Sequence, residues 1–153
     1  MNTNEMKQYE SSEWHFALDI PKRWHSMPPV STNSPNEVMR FASKEDGTHL
    51  LIVFREIHGP TETLKEISNR VQQILAKHGF GNFVCAETTV GSNVAATLDF
   101  DRPQDGGTWS CRHYFLADGT LRYTLGFGTS RRADMFDLYD RMAKSFRILP
   151  EST

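Results

Sequence analysis

Residues 16–24 read FALDIPKRW, and this stretch decides how the chain begins to fold. Its large apolar side chains alternate along the chain up to Ile20, which is the period of a strand with one buried face. Pro21 ends that strand, because proline has no N–H to donate to a sheet ladder. The stretch therefore predicts a first strand, a corner of the fold at Trp24 and an exposed loop that starts at His25.

The same period-two alternation recurs and predicts an antiparallel sheet. Residues 49–56, HLLIVFRE, are apolar on both faces, which suits a central strand covered on both sides. Asp118-Gly119 is a strong signal for a two-residue hairpin. Further strands are predicted near residues 37–43, 82–89, 94–100, 108–117 and 121–127.

Two segments change to a helical period. Residues 61–78 carry one apolar stripe, with Pro60 and either Thr61 or Thr63 to open the helix, and Gly79 to stop it. Residues 131–146 carry a second stripe, formed by Phe136, Tyr139, Ala143 and Phe146. These elements predict an α+β fold, in which an antiparallel sheet of about six or seven strands is sandwiched between helices.

Length and charge set limits on the class of protein. The 153 residues amount to one domain, taken as residues 1–153 with a core at about 14–149. The formal charge of −2 creates no field that would attract nucleic acid or an anionic membrane. The N-terminus MNTNEMKQYE has no apolar leader core, and no run approaches the roughly 20 apolar residues of a spanning helix. We therefore expect a cytoplasmic protein without nucleic-acid or membrane partners.

Reactive side chains form no recognised catalytic pattern. Cys111 and His113 share a strand face, but their spacing along the strand disfavours the contact that a nucleophile and its base require. Cys85 and Cys111 are predicted to be small buried thiols. The six histidines show no metal-ligand spacing. We predict no enzyme activity, no metal and no cofactor.

One candidate binding site lies where a predicted strand meets the second helix. Gly126-Phe127-Gly128 is read as the end of the strand, and Thr129 or Ser130 as the helix cap. Gly128, Ser130, Arg131 and Arg132 could then hold an anion, since helix N-terminal amides and guanidinium groups both favour negative charge. The alternative is an ordinary cap with turn glycines and solvated arginines.

A second candidate consists of large side chains that belong to no predicted core stripe. Trp24, Met27 and Phe80 are such residues, and exposed aromatic and methionine side chains suit adaptable protein interfaces. The alternative is that these loop side chains fold back onto the sheet.

Together these features resemble the PsbP-like superfamily, which includes the photosystem protein PsbP, a Ran-binding nuclear transport factor and bacterial Eag-type chaperones. The resemblance spans about residues 14–149, and it shares no catalytic motif. The segments that carry it are FALDIPKRW (16–24), LLIVFRE (50–56), the helix at 64–78, VGSNVAATLDF (90–100), the aromatic strands around Tyr114 and Tyr123, and AKSFRIL (143–149).

The resemblance implies a sheet between helices and a role without catalysis. It leads us to expect a cytoplasmic protein-binding module, either an adaptor or a chaperone-like protein, with secretion as one setting and a homodimer as one assembly. The alternative function is a small-ligand or anion-binding domain that uses residues 126–132.

Overall fold

The computed structural model describes residues 5–43, 49–57, 62–130 and 132–150, and it places the side chains of all of these except 132–135. Ten strands and two helices occur in this part of the chain. They are β1 (Met6–Ser11), β2 (Phe16–Pro21), β3 (Trp24–Met27), β4 (Glu37–Ser43), β5 (His49–Ile57), α1 (Leu64–Ala76), β6 (Gly81–Val90), β7 (Asn93–Gln104), β8 (Gly107–Asp118), β9 (Leu121–Thr129), α2 (Arg132–Ser145) and β10 (Arg147–Ile148).

Seven of the strands form one antiparallel sheet in the order β3-β4-β5-β9-β8-β7-β6. The predicted α+β class and the antiparallel sheet of about six or seven strands are confirmed. A second sheet of three strands, in the order β1-β2-β10, was not predicted. β10 has only two residues, and β1, MKQYES, lacks the clear alternation that reveals the others.

The three-stranded sheet and α2 share the main hydrophobic core with one face of the large sheet, which we call the packed face. On β5, the packed face receives Leu51 and Val53, both fully buried. Aromatic rings hold the layers together, since Phe16 of β2 stacks on Phe146 with ring centroids 5.7 Å apart. Phe127 of β9 likewise stacks on Tyr139 of α2 at 4.6 Å. Burial of such side chains is the main stabilising contribution to a domain of this size.

Helix α1 covers part of the opposite face, which we call the α1 face. Its buried Ile67 joins a smaller core with residues of β7 and β8. The helix begins with a complete capping box, because Thr63 accepts from the Glu66 amide while the Glu66 carboxylate accepts from the Thr63 amide. This bears out Thr63 as the cap, whereas Pro60 and Thr61 lie outside the described residues. Gly79 has φ +86°, the left-handed conformation expected of a residue that stops a helix.

The structure at Trp24 is a strand and not the predicted corner and loop. Trp24 and His25 begin strand β3 rather than a turn and a loop, and β3 pairs with β4 as the edge of the large sheet. The strand escaped prediction because it has only four residues and stops at the Pro28-Pro29 pair.

Among the described residues, neither helix has the length and apolarity required to cross a membrane.

Candidate functional site

A cavity of about 770 Å³ lies on the α1 face, and we call it the α1 cavity. It occurs because α1 packs over β7 and β8, while neither of the two described helices covers β4, β5 and part of β9. Leu50, Ile52 and Phe54 of β5 line its floor and are only half-buried, in contrast to Leu51 and Val53 on the packed face. β5 is a central strand as predicted, but the predicted cover on both sides is only partial on the α1 face.

Two glycines shape the rest of the floor. Gly126 and Gly128 lie in the last four residues of β9, as predicted for the end of a strand, and β9 pairs there with both β5 and β8. A Cβ atom on Gly126 would lie 2.8 Å from His113 Nε2, and one on Gly128 would lie 2.5 Å from Trp109 Cζ2. Because these distances are too short for real atoms, only glycine allows the two rings to lie against the sheet.

His113 is the titratable group on the cavity floor. Its ring lies among the rings of Phe54, Phe100 and Phe115, at centroid distances of 6.3, 4.8 and 6.1 Å. Burial in this apolar setting lowers the pKa of His113 to about 4, so the ring is neutral at pH 7.

One end of the cavity is strongly polar. Arg122 is 5% exposed and pairs with Glu56 from the neighbouring strand and with Glu62, whose Oε1 is 3.3 Å from Arg122 Nη1. Arg70 of α1 lies 2.9 Å from Glu62 and 3.6 Å from Glu56. These pairs join α1 to the ends of β5 and β9.

Arg122 itself is incompletely satisfied. Its Nε is buried and has no acceptor in the part of the chain that the structure describes. Burial lowers the pKa of Arg122 to about 10, so the guanidinium remains charged at neutral pH. A buried donor without a partner costs roughly 1–3 kcal/mol.

The wall opposite α1 consists of β4 and the loop before it. Glu37 has a fully buried side chain that pairs with Arg40 and accepts from Asn33 Nδ2 at 3.2 Å. Asn36 donates to Glu56 at 2.6 Å and so connects this loop to the polar end. The loop between β3 and β4, for which the sequence suggests only a surface connection, is thus one wall of the cavity.

The residues predicted to bind a partner, Trp24, Met27 and Phe80, lie in three different parts of the structure. Trp24 is only 4% exposed and stacks on His49 with an angle of 4° between the rings, so it belongs to the packed core and not to an exposed patch. Met27 is 37% exposed and pairs with Arg40 at the edge of the sheet. Phe80 lines the α1 cavity, where it contacts Phe100 edge-on.

The residues predicted to bind an anion do not form a described site. Gly128 lies within the sheet ladder, and its carbonyl accepts from Tyr139 Oη at 3.2 Å. Ser130 is exposed just after β9. Arg131 lies outside the described residues, and the side chain of Arg132 is likewise not described.

The two cysteines also differ. Cys111 is 5% exposed, and burial raises its pKa to about 12, so its thiol is a poor nucleophile at neutral pH. Cys85 is exposed, and its predicted burial is wrong. Its Sγ lies 3.2 Å from Ser68 Oγ of α1.

No group of three metal-ligating side chains occurs within the described residues.

Comparison with solved structures identifies the fold. No protein-family model matches the sequence, and no curated protein matches it at the level of sequence. Among solved structures, the cyanobacterial PsbP protein of Synechocystis is similar with a TM-score of 0.71 at 15% identity, over 94% of this chain and 92% of that one. The chain has the PsbP-like fold.

Two further PsbP-like structures extend this similarity. The Ran-binding protein Mog1p of Saccharomyces cerevisiae has a TM-score of 0.67 at 12% identity, over 95% of this chain and 96% of that one. LpqN of Mycobacterium tuberculosis, a protein involved in cell envelope biogenesis, has a TM-score of 0.66 at 14% identity, over 96% and 93%. The roles of these structurally similar proteins differ, so the shared fold does not specify one activity.

Of the residues that shape the α1 cavity, sequence reasoning named Phe80 and Gly128 as site candidates, but it did not predict a cavity and it missed Arg122 and the β5 floor. A usable signal exists for Gly126 and Gly128, because isolated glycines within a strand pattern often mark a close approach. No comparable signal marks Arg122, since its partners come from β5 and from the residues before α1.

Proposed function

We propose that this chain is a non-enzymatic, cytoplasmic protein-binding module that acts as an adaptor or chaperone-like factor. The observation that carries the proposal is the exposed apolar rim beside the α1 cavity. The rim consists of Ile74, which lines the cavity, Met27, which pairs with the lining residue Arg40, and Val30, whose carbonyl accepts from the amide of the lining residue Asn33. Their exposed fractions are 48%, 37% and 40%.

The composition of the rim suits a protein contact. A methionine and branched apolar side chains can adapt to the side chains of a partner, and polar groups of the 32–36 loop and Arg70 surround them. Exposed apolar side chains that flank a concave surface favour a binding site, whereas scattered single ones need no explanation. Mog1p, which is Ran-binding, has the same fold over nearly its whole length, and this supports protein binding as the class of function.

Photo-crosslinking in cells tests this proposal. A photoreactive amino acid is placed at position 30, on the rim, or at position 84, an exposed valine on the edge strand β6 with an exposed fraction of 60%. We expect one protein to crosslink reproducibly from position 30 and not from position 84. A Met27→Asp variant should abolish that crosslink, because a charge would have to be buried in the contact. Equal crosslinking from both positions, or no protein crosslink from position 30, would contradict the proposal.

A further inference from the structure

We propose that the floor of the α1 cavity binds a small, uncharged, amphipathic molecule with an apolar body and an oxygen atom that accepts a hydrogen bond. This inference goes beyond protein binding, because it concerns the floor of the cavity and not its rim.

The size and lining of the cavity fit such a ligand. A volume of about 770 Å³ is within the range of roughly 300–1,000 Å³ that small-molecule sites occupy. Leu50, Ile52 and Phe54 provide an apolar floor on one side, and Val71 and Leu75 of α1 provide the facing wall. An elongated apolar body can therefore lie between β5 and α1.

The polar groups of the cavity indicate where the oxygen atom would lie. Arg122, Thr124 and Gly126 alternate along β9 on the cavity side, and His113 lies beside Gly126. The Arg122 Nε–H lacks an acceptor among the described side chains, and the neutral His113 ring offers one donor and one acceptor. His113, which lines the cavity, can therefore orient an oxygen-bearing head group, whereas the Arg122 Nε–H is closed to solvent and reaches a ligand only after the Arg122 side chain shifts.

The charge balance favours an uncharged ligand over an anion. Arg40, Arg70 and Arg122 are each paired with glutamates, and these are Glu37, Glu56 and Glu62. An anionic head would have to displace a glutamate from its arginine. Arg102 at the opposite end is exposed, with its guanidinium 4.7 Å from the centre of the Phe80 ring, so solvent screens its charge.

Two fluorescent probes of similar size test the inference. Prodan is an uncharged naphthalene with one carbonyl group, and anilinonaphthalene sulfonate is its anionic counterpart. We expect prodan to bind saturably, one molecule per chain, with a blue shift of its emission. The sulfonate should bind at least about tenfold more weakly, because its charge has no unpaired buried cation to meet.

Variants locate the binding. Ile52→Trp fills the floor and should weaken prodan binding by at least about tenfold, since it occupies the space of the apolar body. Val94→Trp is the matched control, because Val94 is 62% exposed on the same sheet face but does not line the cavity. His113→Phe keeps a ring of similar shape without the polar nitrogens, and it should weaken prodan binding several-fold.

A measurement on the unmodified protein keeps the test valid if Ile52→Trp fails to fold. Trp109 lies on the cavity floor, whereas Trp24 lies in the packed core, so their indole N–H resonances report on the two regions. Prodan should shift the Trp109 resonance and leave that of Trp24 unchanged. Absence of saturable prodan binding, equal or tighter binding of the sulfonate, or a shift at Trp24 alone would overturn the inference. None of these results bears on crosslinking at position 30, so this inference and the proposed function can fail separately.

Discussion

The two faces of the large sheet differ although the same strands form both. On β5, Leu51 and Val53 point into the packed core, while their neighbours Leu50 and Ile52 line an open cavity. The packed face is covered by a helix and a second sheet, and the α1 face by one helix that reaches only part of it. The contrast shows that an apolar strand face need not be core, since apolar residues are also what a binding surface requires.

The largest expected effect comes from comparing neighbours on β5. Leu51→Ala should lower the free energy of unfolding by about 2–5 kcal/mol, because it leaves a cavity in a closed core. Leu50→Ala should cost about 1 kcal/mol or less, since water already reaches that side chain. Urea unfolding of both variants measures the difference, and similar losses would show that the two faces are equally packed.

The next largest loss of stability is expected at Gly128, where the Trp109 ring lies against β9. Gly128→Ala should destabilise the protein by about 1–3 kcal/mol, because the new methyl group overlaps the Trp109 ring. Gly81→Ala is the matched control, since a Cβ there meets nothing within 4 Å and the backbone has no positive φ. Thermal unfolding compares them. Loss of stability in the Gly81 variant alone would contradict the assigned role of Gly128.

The pH dependence of stability should reveal the half-buried His113. Because burial lowers the pKa of His113 to about 4 in the folded state, the unfolded chain binds this proton first as pH falls. His113 should therefore cost about 2 kcal/mol of stability between about pH 7.5 and about pH 5. Urea unfolding at the two pH values measures the loss, and His113→Phe should show a loss smaller by that amount. An unchanged loss in that variant would exclude His113 as the cause.

The smallest effect concerns the helix that borders the cavity. Thr63→Ala removes the cap of α1 and should cost about 1 kcal/mol in thermal unfolding. Gln73→Ala, on the exposed side of the same helix, should be nearly neutral, because alanine is at least as good a helix former. If Thr63→Ala proved as mild as Gln73→Ala, the capping box would contribute nothing to the wall of the cavity.

The sequence predicts those features of the fold that depend on one buried strand face or on neighbouring residues. The alternation of Phe16, Leu18 and Ile20 predicts a core strand correctly, because burial on one face determines which residues a strand can accept there. The capping box at Thr63 and the stop at Gly79 are local, so the sequence around them contains all the needed information.

The cavity could not be predicted in the same way. Leu50 and Ile52 have the composition of core residues, and only the reach of α1 decides that they remain partly uncovered. Trp24 was expected at a corner, but its burial depends on stacking against His49, which lies about two dozen residues further along the chain. The polar end likewise depends on contacts between Arg122 and glutamates that are distant in sequence.

Thiol labelling at adjacent positions of β5 tests the central claim, that the α1 face is open to other molecules and the packed face is closed. Ile52→Cys and Val53→Cys are made separately in a Cys85→Ser background, since Cys85 is exposed and Cys111 is buried. We predict that iodoacetamide labels Cys at position 52 in the folded protein and that prodan slows this reaction. At position 53, labelling should require unfolding. Equal protection of both positions, or equal labelling of both, would contradict the account.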